Sequence, residues 1–378
     1  MTVLCYAVIA CYAYCLYGLG PILAFLKTGL HLSYTVTTLH SVLWSAGAMI
    51  TGLGYRRLAG ALGQRRVMWA ATAVFCGGIG LLIAARVLAL TLTAALLMGT
   101  AGATMLVGTA AILSERYGAD RDRALVEANA LAVMMAVAAP LLFGGLAGTA
   151  ASWRAALLVP LAGFTLLWLL FGRLPLPAGG TDGRQRGTAR LPAGYWVGAT
   201  LVALAVAVEF CVVFYAAQLL HSAGLPVARA ASMLTFFYAG ELAGRLSGAV
   251  LTRGAAAWRT PRALTAGSLA VALAGFMTFW LTGRSPVALA GLAVTGLGVA
   301  NLYPLTLGLT MAAAPDESGR AAARAQVLVG IAAMGAPFVL SLLADRWGVA
   351  RAFVVEPALI VAAALLLAAT FRPRAPDT

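Results

Sequence analysis

Three carboxyl side chains lie inside long apolar runs of the sequence, where an ionisable group is unusual: Glu127, Glu209 and Glu241. Placing such a group at membrane depth costs about 2.5 to 3.5 kcal/mol on insertion scales, so it is commonly retained for a function. Glu209 lies about 21 Å along a helix from Tyr195 and has no basic residue within one turn. This position favours either an acid that binds and releases protons as its access changes, or a glutamate kept neutral or paired across helices.

A second group of polar residues shares one helical face. Glu241 and Arg245 are four residues apart, and at about 100° per residue both lie close to the direction of Tyr238. Glu followed by Arg at i+4 is the favourable order for a helical ion pair, which favours a self-neutralising pair that lowers the insertion cost. The same pair is also typical of a binding site, because an arginine held by an acid can exchange that acid for an anionic substrate.

These side chains must be positioned by membrane helices. The chain has 378 residues, of which 62% are hydrophobic and 10% charged, whereas soluble domains carry about 25% charged residues. Its mean hydropathy is +0.92. Twelve apolar runs are long enough to cross about 30 Å of hydrocarbon as helices, and we number them as spans 1 to 12: 3–26, 33–55, 67–85, 88–113, 124–150, 154–172, 194–220, 230–252, 263–282, 286–312, 322–343 and 349–371. The predicted fold class is an all-α membrane protein with twelve transmembrane helices.

An internal repeat divides these spans into two halves. An offset of 197 residues aligns four pairs of arginines, against about 0.7 expected by chance: Arg56 with Arg253, Arg65 with Arg262, Arg123 with Arg320 and Arg154 with Arg351. The copies are separated by a stretch rich in Gly, Pro and Arg, 173–192, which is typical of a flexible linker. We predict an N-terminal six-helix half over 1–172, a cytoplasmic linker over 173–192, and a parallel C-terminal half over 193–378 that ends in a short cytoplasmic tail.

The basic residues indicate the orientation of the chain in the membrane. The formal net charge of +14 would favour a nucleic-acid partner only if the charges formed one face. Instead, 18 of the 26 basic residues fall in segments on one side of the spans and seven on the other. The richer side is cytoplasmic by the positive-inside rule. We predict both termini in the cytoplasm, insertion in the inner (plasma) membrane and no nucleic-acid partner.

No residue pattern predicts a cofactor or an enzyme. The five cysteines lie in apolar runs without C-x-x-C spacing, and the three histidines lack ligand-like spacing. The nucleotide-binding G-x-x-x-x-G-K-[ST] motif does not occur, which excludes ATP-driven pumping by this chain alone. We therefore expect no disulfide, no metal and no other cofactor. The first span begins without a basic region, which favours a retained helix over a cleaved signal peptide.

Several motifs resemble those of the major facilitator superfamily. They lie in the loop after span 2, in span 5, at the start of span 6 and around span 10: YRRLAGALGQRR at 55–66, APLLFGG at 139–145, Trp153-Arg154, NLYP at 301–304 and PDESGR at 315–320. The second half is also similar to sugar-permease-like and uncharacterised bacterial permeases. Two motifs depart from the family pattern. Gly60 and Ala61 stand where the first-loop motif has Asp and Arg, and three residues instead of two separate Pro140 from Gly144. The second departure gives no support to drug efflux.

The resemblance implies two halves that rock about a central pathway lined by spans 1, 4, 7 and 10. In these spans the repeat pairs Tyr12 with Glu209 and Thr104 with Asn301. We predict proton coupling through Glu209. The predicted substrate-binding residues add aromatic side chains from neighbouring positions: Tyr12, Tyr14, Tyr17, Trp44, Thr104, Tyr238 and Asn301. For each aromatic residue, ordinary packing is the alternative interpretation.

The resemblance also implies that span 5 packs beside span 8, which would bring Glu127 within reach of Arg245. The repeat places Arg324 at the position equivalent to Glu127, so the charge is inverted between the halves. We predict a gate or ion-pair group made of Glu127, Glu241, Arg245 and Arg324. The alternative is that Glu127 and Arg245 are both solvated near the lipid headgroups.

The combined prediction is a secondary active transporter that moves a small organic solute by alternating access and couples this movement to protons. We expect its partners to be the small-molecule substrate, protons and the lipid bilayer, and we expect a monomer. Two alternatives remain: a proton-driven exporter of a drug or metabolite, and a non-transporting membrane sensor built on the same fold. A membrane-embedded enzyme is not expected, because the sequence has no cluster of catalytic residue types near a membrane surface.

Overall fold

The computed structural model describes residues 1–176, 191–251, 260–283, 285–314 and 318–370, and the chain over these ranges is almost entirely helical. Most of the predicted linker, 177–190, lies outside them. The α-helices, numbered in chain order, are α1 Thr2–Tyr17, α2 Leu19–Gly29, α3 Tyr34–Leu62, α4 Gln64–Ala84, α5 Leu88–Tyr117, α6 Arg121–Ala147, α7 Leu158–Phe171, α8 Ala193–Ser222, α9 Val227–Leu251, α10 Pro261–Thr282, α11 Pro286–Val299, α12 Leu302–Ala312, α13 Ser318–Trp347, α14 Val349–Ala352 and α15 Val355–Thr370.

Ten helical segments of the described residues are long and apolar enough to cross a membrane. They correspond to predicted spans 1, 3 to 7 and 9 to 12. The helices α3 and α9, of 29 and 25 residues, occupy the positions of predicted spans 2 and 8. The chain is therefore a multi-pass, all-α membrane protein, as its composition predicts.

Two predicted spans consist of two helices joined at a break. Span 1 changes from α1 to α2 at Gly18, where an added Cβ would overlap Tyr14 O and the ring of Phe143. Span 10 changes from α11 to α12 at Asn301, which is the N-cap residue of α12. Pro304 lies in the first turn of α12, where a missing backbone N–H is tolerated. At the second break the side chain of Asn301 is half-buried.

The described helices group into two compact units. The first comprises Met1–Gly183 with Pro226–Thr235, and the second comprises Arg184–Leu225 with Phe236–Thr378. The start of α9 therefore belongs to the first unit, in which Thr235 Oγ1 donates to Val137 O of α6 at 2.7 Å. Gly144 of α6 also approaches Ser232 so closely that a Cβ would overlap its hydroxyl. The start of span 8 thus packs on span 5, as the family resemblance implies.

Glycines bring one pair of helices into backbone contact in each unit. In the first unit, a Cβ on Gly47 of α3 would lie 2.7 Å from Leu96 O of α5. In the second unit, a Cβ on Gly244 of α9 would lie 2.6 Å from Leu297 O of α11. Gly47 and Gly244 are equivalent under the 197-residue offset. Small residues allow such close helix packing in membranes. Both repeats therefore pack one pair of helices through a glycine at the equivalent position.

Candidate functional site

A partly buried ion pair lies in the middle of α9. The guanidinium of Arg245 donates to Oε1 of Glu241, and the two residues have the predicted i, i+4 spacing. The side chain of Glu241 is 1% exposed, whereas that of Arg245 is 36% exposed. The second carboxylate oxygen, Oε2, is buried and has no hydrogen-bond partner among the described residues. The pair thus leaves one acceptor oxygen inside the unit and exposes part of the arginine.

Glu209 of α8 joins this pair. It is half-buried, and its charge interacts with those of Glu241 and Arg245. In the sequence Glu209 and the α9 pair are separate features, but the structure brings Glu209 within electrostatic range of both partners of the pair. One carboxylate balances the arginine, so the other can be neutralised by a proton. We call Glu209, Glu241 and Arg245 the acid–arginine cluster.

Polar side chains at the break in span 10 extend the acid–arginine cluster. Asn301 Nδ2 donates to Gly244 O of α9 at 2.7 Å. Tyr303, two residues further on, lies within electrostatic range of Glu209. Gln326 Nε2 of α13 donates to Tyr303 Oη at 2.9 Å. Tyr303 and Gln326 were missed by the sequence analysis, although Tyr303 belongs to the NLYP motif that contains Asn301.

The equivalent region of the first unit is aromatic. The rings of Tyr12 and Trp44 have centroids 6.3 Å apart, and Phe75 lies 6.0 Å from Tyr12 and 6.1 Å from Trp44. We call Tyr12, Trp44 and Phe75 the aromatic cluster. The hydroxyl of Thr104 donates to Thr100 O at 2.8 Å and lies 3.2 Å from that of Thr51. The predicted pocket residues Tyr12, Trp44 and Thr104 are thus buried and close-packed.

The other predicted aromatic residues occupy different surroundings. Tyr14 is 2% exposed, stacks on Phe143 at 5.6 Å and donates its hydroxyl to Ala156 O at 3.1 Å. Tyr17 ends α1 and is half-buried. Tyr238 is fully buried, with its ring 5.5 Å from that of Phe237. The hydroxyl of Tyr14 is therefore used within the fold of the first unit.

The two remaining predicted gate residues have local partners. Glu127 of α6 accepts a hydrogen bond from Tyr6 of α1 at 2.8 Å and a charged one from Arg123 at 3.0 Å. The guanidinium of Arg324 in α13 stands 5.7 Å from the ring centroid of Trp196 in α8, a cation–π distance. Each residue thus ties together two helices of its own unit, and the predicted pair between Glu127 and Arg245 stays a prediction.

One membrane acid was missed altogether. Glu356 lies in the candidate span Val349–Ala369 and is fully buried, so the count of three acids within spans is wrong. Neither of its carboxyl oxygens has a hydrogen-bond partner among the described residues, and Cys211 of α8 lies within range of its charge. The sequence signal was present, because the apolar run 349–371 contains this residue.

Among the described residues, no group of three or more His, Cys, Asp or Glu side chains could hold a metal ion. The polar groups that the structure brings together are two carboxyls, a guanidinium, two amides and a phenol. Such a set can bind a proton and a polar organic molecule by charge and hydrogen bonds. Together with helices that cross a membrane, this set of polar groups is typical of a membrane transport protein.

Comparisons with known proteins define the family. The family model described as Major Facilitator Superfamily matches residues 5–337, so this chain belongs to the major facilitator superfamily, and the family predicted from the motifs is confirmed. A comparison with curated protein sequences gives no match.

Solved transporters share the fold. A mutant of the nucleoside transporter NupG superposes with a TM-score of 0.79 at 13% identity and covers 98% of this chain and 100% of that chain. A bacterial homologue of the human lysosomal transporter Spinster, in an inward-facing and occupied conformation, gives 0.78 at 15% identity, covering 97% and 96%. A structure from work on substrate recognition in proton dependent oligopeptide transporters gives 0.77 at 12% identity, covering 98% and 96%. At these identities the likeness shows the fold alone.

Proposed function

We propose that this protein is a secondary active transporter that moves a small organic solute by alternating access and couples the movement to protons through Glu209. The observation that carries the proposal is the acid–arginine cluster in the second unit, where Glu241 pairs with Arg245 and Glu209 lies within electrostatic range of both. Groups of this kind are expensive at membrane depth and mark proton or ion pathways. The family and its transporter folds support the coarser part, transport rather than enzymatic catalysis.

The cluster suggests how proton and solute are coupled. With Glu209 protonated, Arg245 is balanced by Glu241 alone and the cluster carries no net charge. When Glu209 loses its proton, two carboxylates compete for the guanidinium, and the cluster carries one excess negative charge. A polar or anionic group of the solute can bind the exposed part of Arg245 while Glu209 is protonated, and a deprotonated Glu209 then competes with it for the guanidinium and favours its release. Asn301 and Tyr303 supply further hydrogen-bonding groups beside it.

We assign the rest of the predicted substrate site to recognition of the non-polar part of the solute. Tyr12, Trp44 and Thr104 offer aromatic faces and one hydroxyl. Aromatic faces bind planar or apolar groups with little loss of side-chain freedom. The solute class that matches both clusters is a small organic molecule with one polar or anionic end. Import and export use the same groups and differ in the side on which the solute is released.

The 18 to 7 distribution of basic residues supports an inner-membrane protein with both termini in the cytoplasm. We further propose that Glu127 and Arg245 pair during the transport cycle, in place of their local partners Arg123 and Glu241. Exchanging the two charges, in E127R, R245E and the double variant, tests this pair. Each single variant should impair transport and the double should recover part of it; failure of the double to exceed either single variant would refute the pair.

The coupling is tested by flux into proteoliposomes, after a thermal-shift screen of small solutes has identified a ligand. Wild-type protein should accumulate the solute only when a pH gradient is imposed. Glu209→Gln should abolish accumulation but retain exchange of labelled for unlabelled solute, because the amide keeps the shape and cannot release a proton. Glu115→Gln, an exposed acid at the end of α5, is the matched control and should behave as wild type. Gradient-driven accumulation by Glu209→Gln would rule out the proton role.

A further inference from the structure

A groove lies between α10 and α15, away from the acid–arginine cluster. It encloses about 400 Å³ and is lined by alanine, leucine, isoleucine and valine side chains, with Arg262 as the only polar lining residue among those described. Arg262 stands in the first turn of α10, and Ala368 lies near the end of α15. The groove therefore opens at one end of the bundle and is apolar along its length.

The groove follows from the sizes of the facing side chains. At its deep end the two helices are held together by aromatic packing, because Phe276 of α10 lies 5.6 Å from Phe353, which precedes α15. Towards Arg262 the lining residues include Ala266, Ala270 and Ala364. These small side chains leave the space between the two helices unfilled over this half. The helices therefore leave a gap along this half of their length.

The dimensions of the groove match one leaflet of a bilayer. Arg262 and Leu273 both line it, and they are about 16 Å apart along the helix axis. One leaflet contributes about 15 Å of the roughly 30 Å hydrocarbon core. An acyl chain that entered at the level of Arg262 would therefore run the length of the groove and end near the bilayer midplane.

The charge at the groove entrance points to the headgroup. Among the described residues, no acidic side chain forms a salt bridge with Arg262. Arg262 also belongs to the side of the chain on which the bases accumulate, which is predicted to be cytoplasmic. A guanidinium binds a phosphate diester through paired N–H donors. Basic sites between membrane helices on the cytoplasmic side are suited to anionic headgroups.

We propose that the groove between α10 and α15 binds an anionic glycerophospholipid of the cytoplasmic leaflet, with one acyl chain against the alanine lining and its phosphate on Arg262. The lipid occupies the second unit only, so the site does not depend on the solute or on proton coupling. It fills space that the side chains leave empty and holds α15 against α10.

The test is native mass spectrometry of the purified full-length chain, titrated with phosphatidylglycerol or with phosphatidylcholine of identical acyl chains. Wild-type protein should retain phosphatidylglycerol in preference. Arg262→Gln should weaken phosphatidylglycerol about fivefold, the effect of one basic residue near an anionic surface, and leave phosphatidylcholine unchanged. Ala364→Phe, which fills the groove, should reduce both lipids.

Two matched variants control for general effects. Arg351→Gln removes an exposed arginine of α14, which precedes the other end of α15, and Ala274→Phe adds a ring to an exposed position of α10 outside the groove. Both should retain lipid as wild type does. Unchanged phosphatidylglycerol retention in Arg262→Gln or in Ala364→Phe would overturn the proposal. So would displacement of the lipid by inorganic phosphate alone, or a change of oligomeric state in Ala364→Phe without any change in lipid retention.

Discussion

The two halves of this protein place opposite chemistry at equivalent positions. Under the 197-residue offset, Tyr12 corresponds to Glu209 and Trp44 corresponds to Glu241. In the first half these positions form the aromatic cluster, and in the second half they form the acid–arginine cluster. The helices α3 and α9, which carry Trp44 and Glu241, make equivalent close glycine contacts with α5 and α11. The two repeats therefore place an apolar cluster and a charged cluster on equivalent helices.

The difference between the halves has a physical explanation. Aromatic rings pack in an apolar interior and add favourable ring contacts at little polar cost. A buried carboxylate is destabilising unless a cation balances its charge. Glu241 has Arg245 as its cation, but its second carboxylate oxygen has no hydrogen-bond partner among the described residues. A charge cluster confined to one half is therefore best explained by function, and the aromatic half by structure and by contact with the solute.

The largest effect on stability is expected from the aromatic cluster. Trp44→Ala removes a buried indole between Tyr12 and Phe75 and should destabilise the protein by about 4 kcal/mol, the range of large core truncations. Trp44→Phe keeps most of the volume and should cost about 1 kcal/mol. Thermal unfolding in detergent, followed by tryptophan fluorescence with the remaining indoles, measures both. Equal stability of Trp44→Ala and wild type would mean that the cluster is not a packed core.

A slightly smaller effect is expected from the charged cluster. Arg245→Leu leaves Glu241 buried without its cation and should cost about 3 kcal/mol, at the low end of the range for breaking buried pairs because the arginine is 36% exposed. Removing both charges in the E241L/R245L double variant should restore most of the stability while transport stays lost. A double variant as unstable as the single one would show that the pair contributes packing rather than charge balance.

A gain in stability, rather than a loss, is expected when Glu356 is replaced. Because its buried carboxyl oxygens have no hydrogen-bond partner among the described residues, replacement by an apolar side chain of similar volume should help folding. Glu356→Leu should raise stability by about 1 to 2 kcal/mol, the usual penalty of an unsatisfied buried polar group, measured by the same thermal unfolding. A loss of stability would show that this acid has a partner in the folded protein.

The smallest effect is expected at the hydroxyl pair of the first half. Thr104→Val removes the contact with Thr51 and the hydrogen bond to Thr100 O. The expected loss is about 1 kcal/mol, that of a typical hydrogen bond. Thr93→Val, whose hydroxyl bonds within α5 at an exposed position, is the control and should cost less. A larger loss in Thr93→Val would mean that the Thr51–Thr104 contact adds nothing.

Much of the fold follows from the sequence, because membrane helices are specified by their length and apolar composition. The pairing of Glu241 with Arg245 also followed, since it depends only on helical spacing. The approach of Glu209 to that pair did not, because α8 and α9 are separate helices and the distance between their side chains is set by tertiary packing. The break at Asn301, which brings Tyr303 towards Glu209, likewise depends on tertiary structure.

We propose above that the acid–arginine cluster of the second half couples transport to protons. This coupling is tested most directly by measuring proton movement when an identified solute is added to weakly buffered proteoliposomes, with Glu209→Gln compared with Tyr12→Phe at the equivalent position. Solute entry should move protons in wild type and in Tyr12→Phe, and it should move none in Glu209→Gln. Solute-dependent proton movement of wild-type size in Glu209→Gln would contradict it.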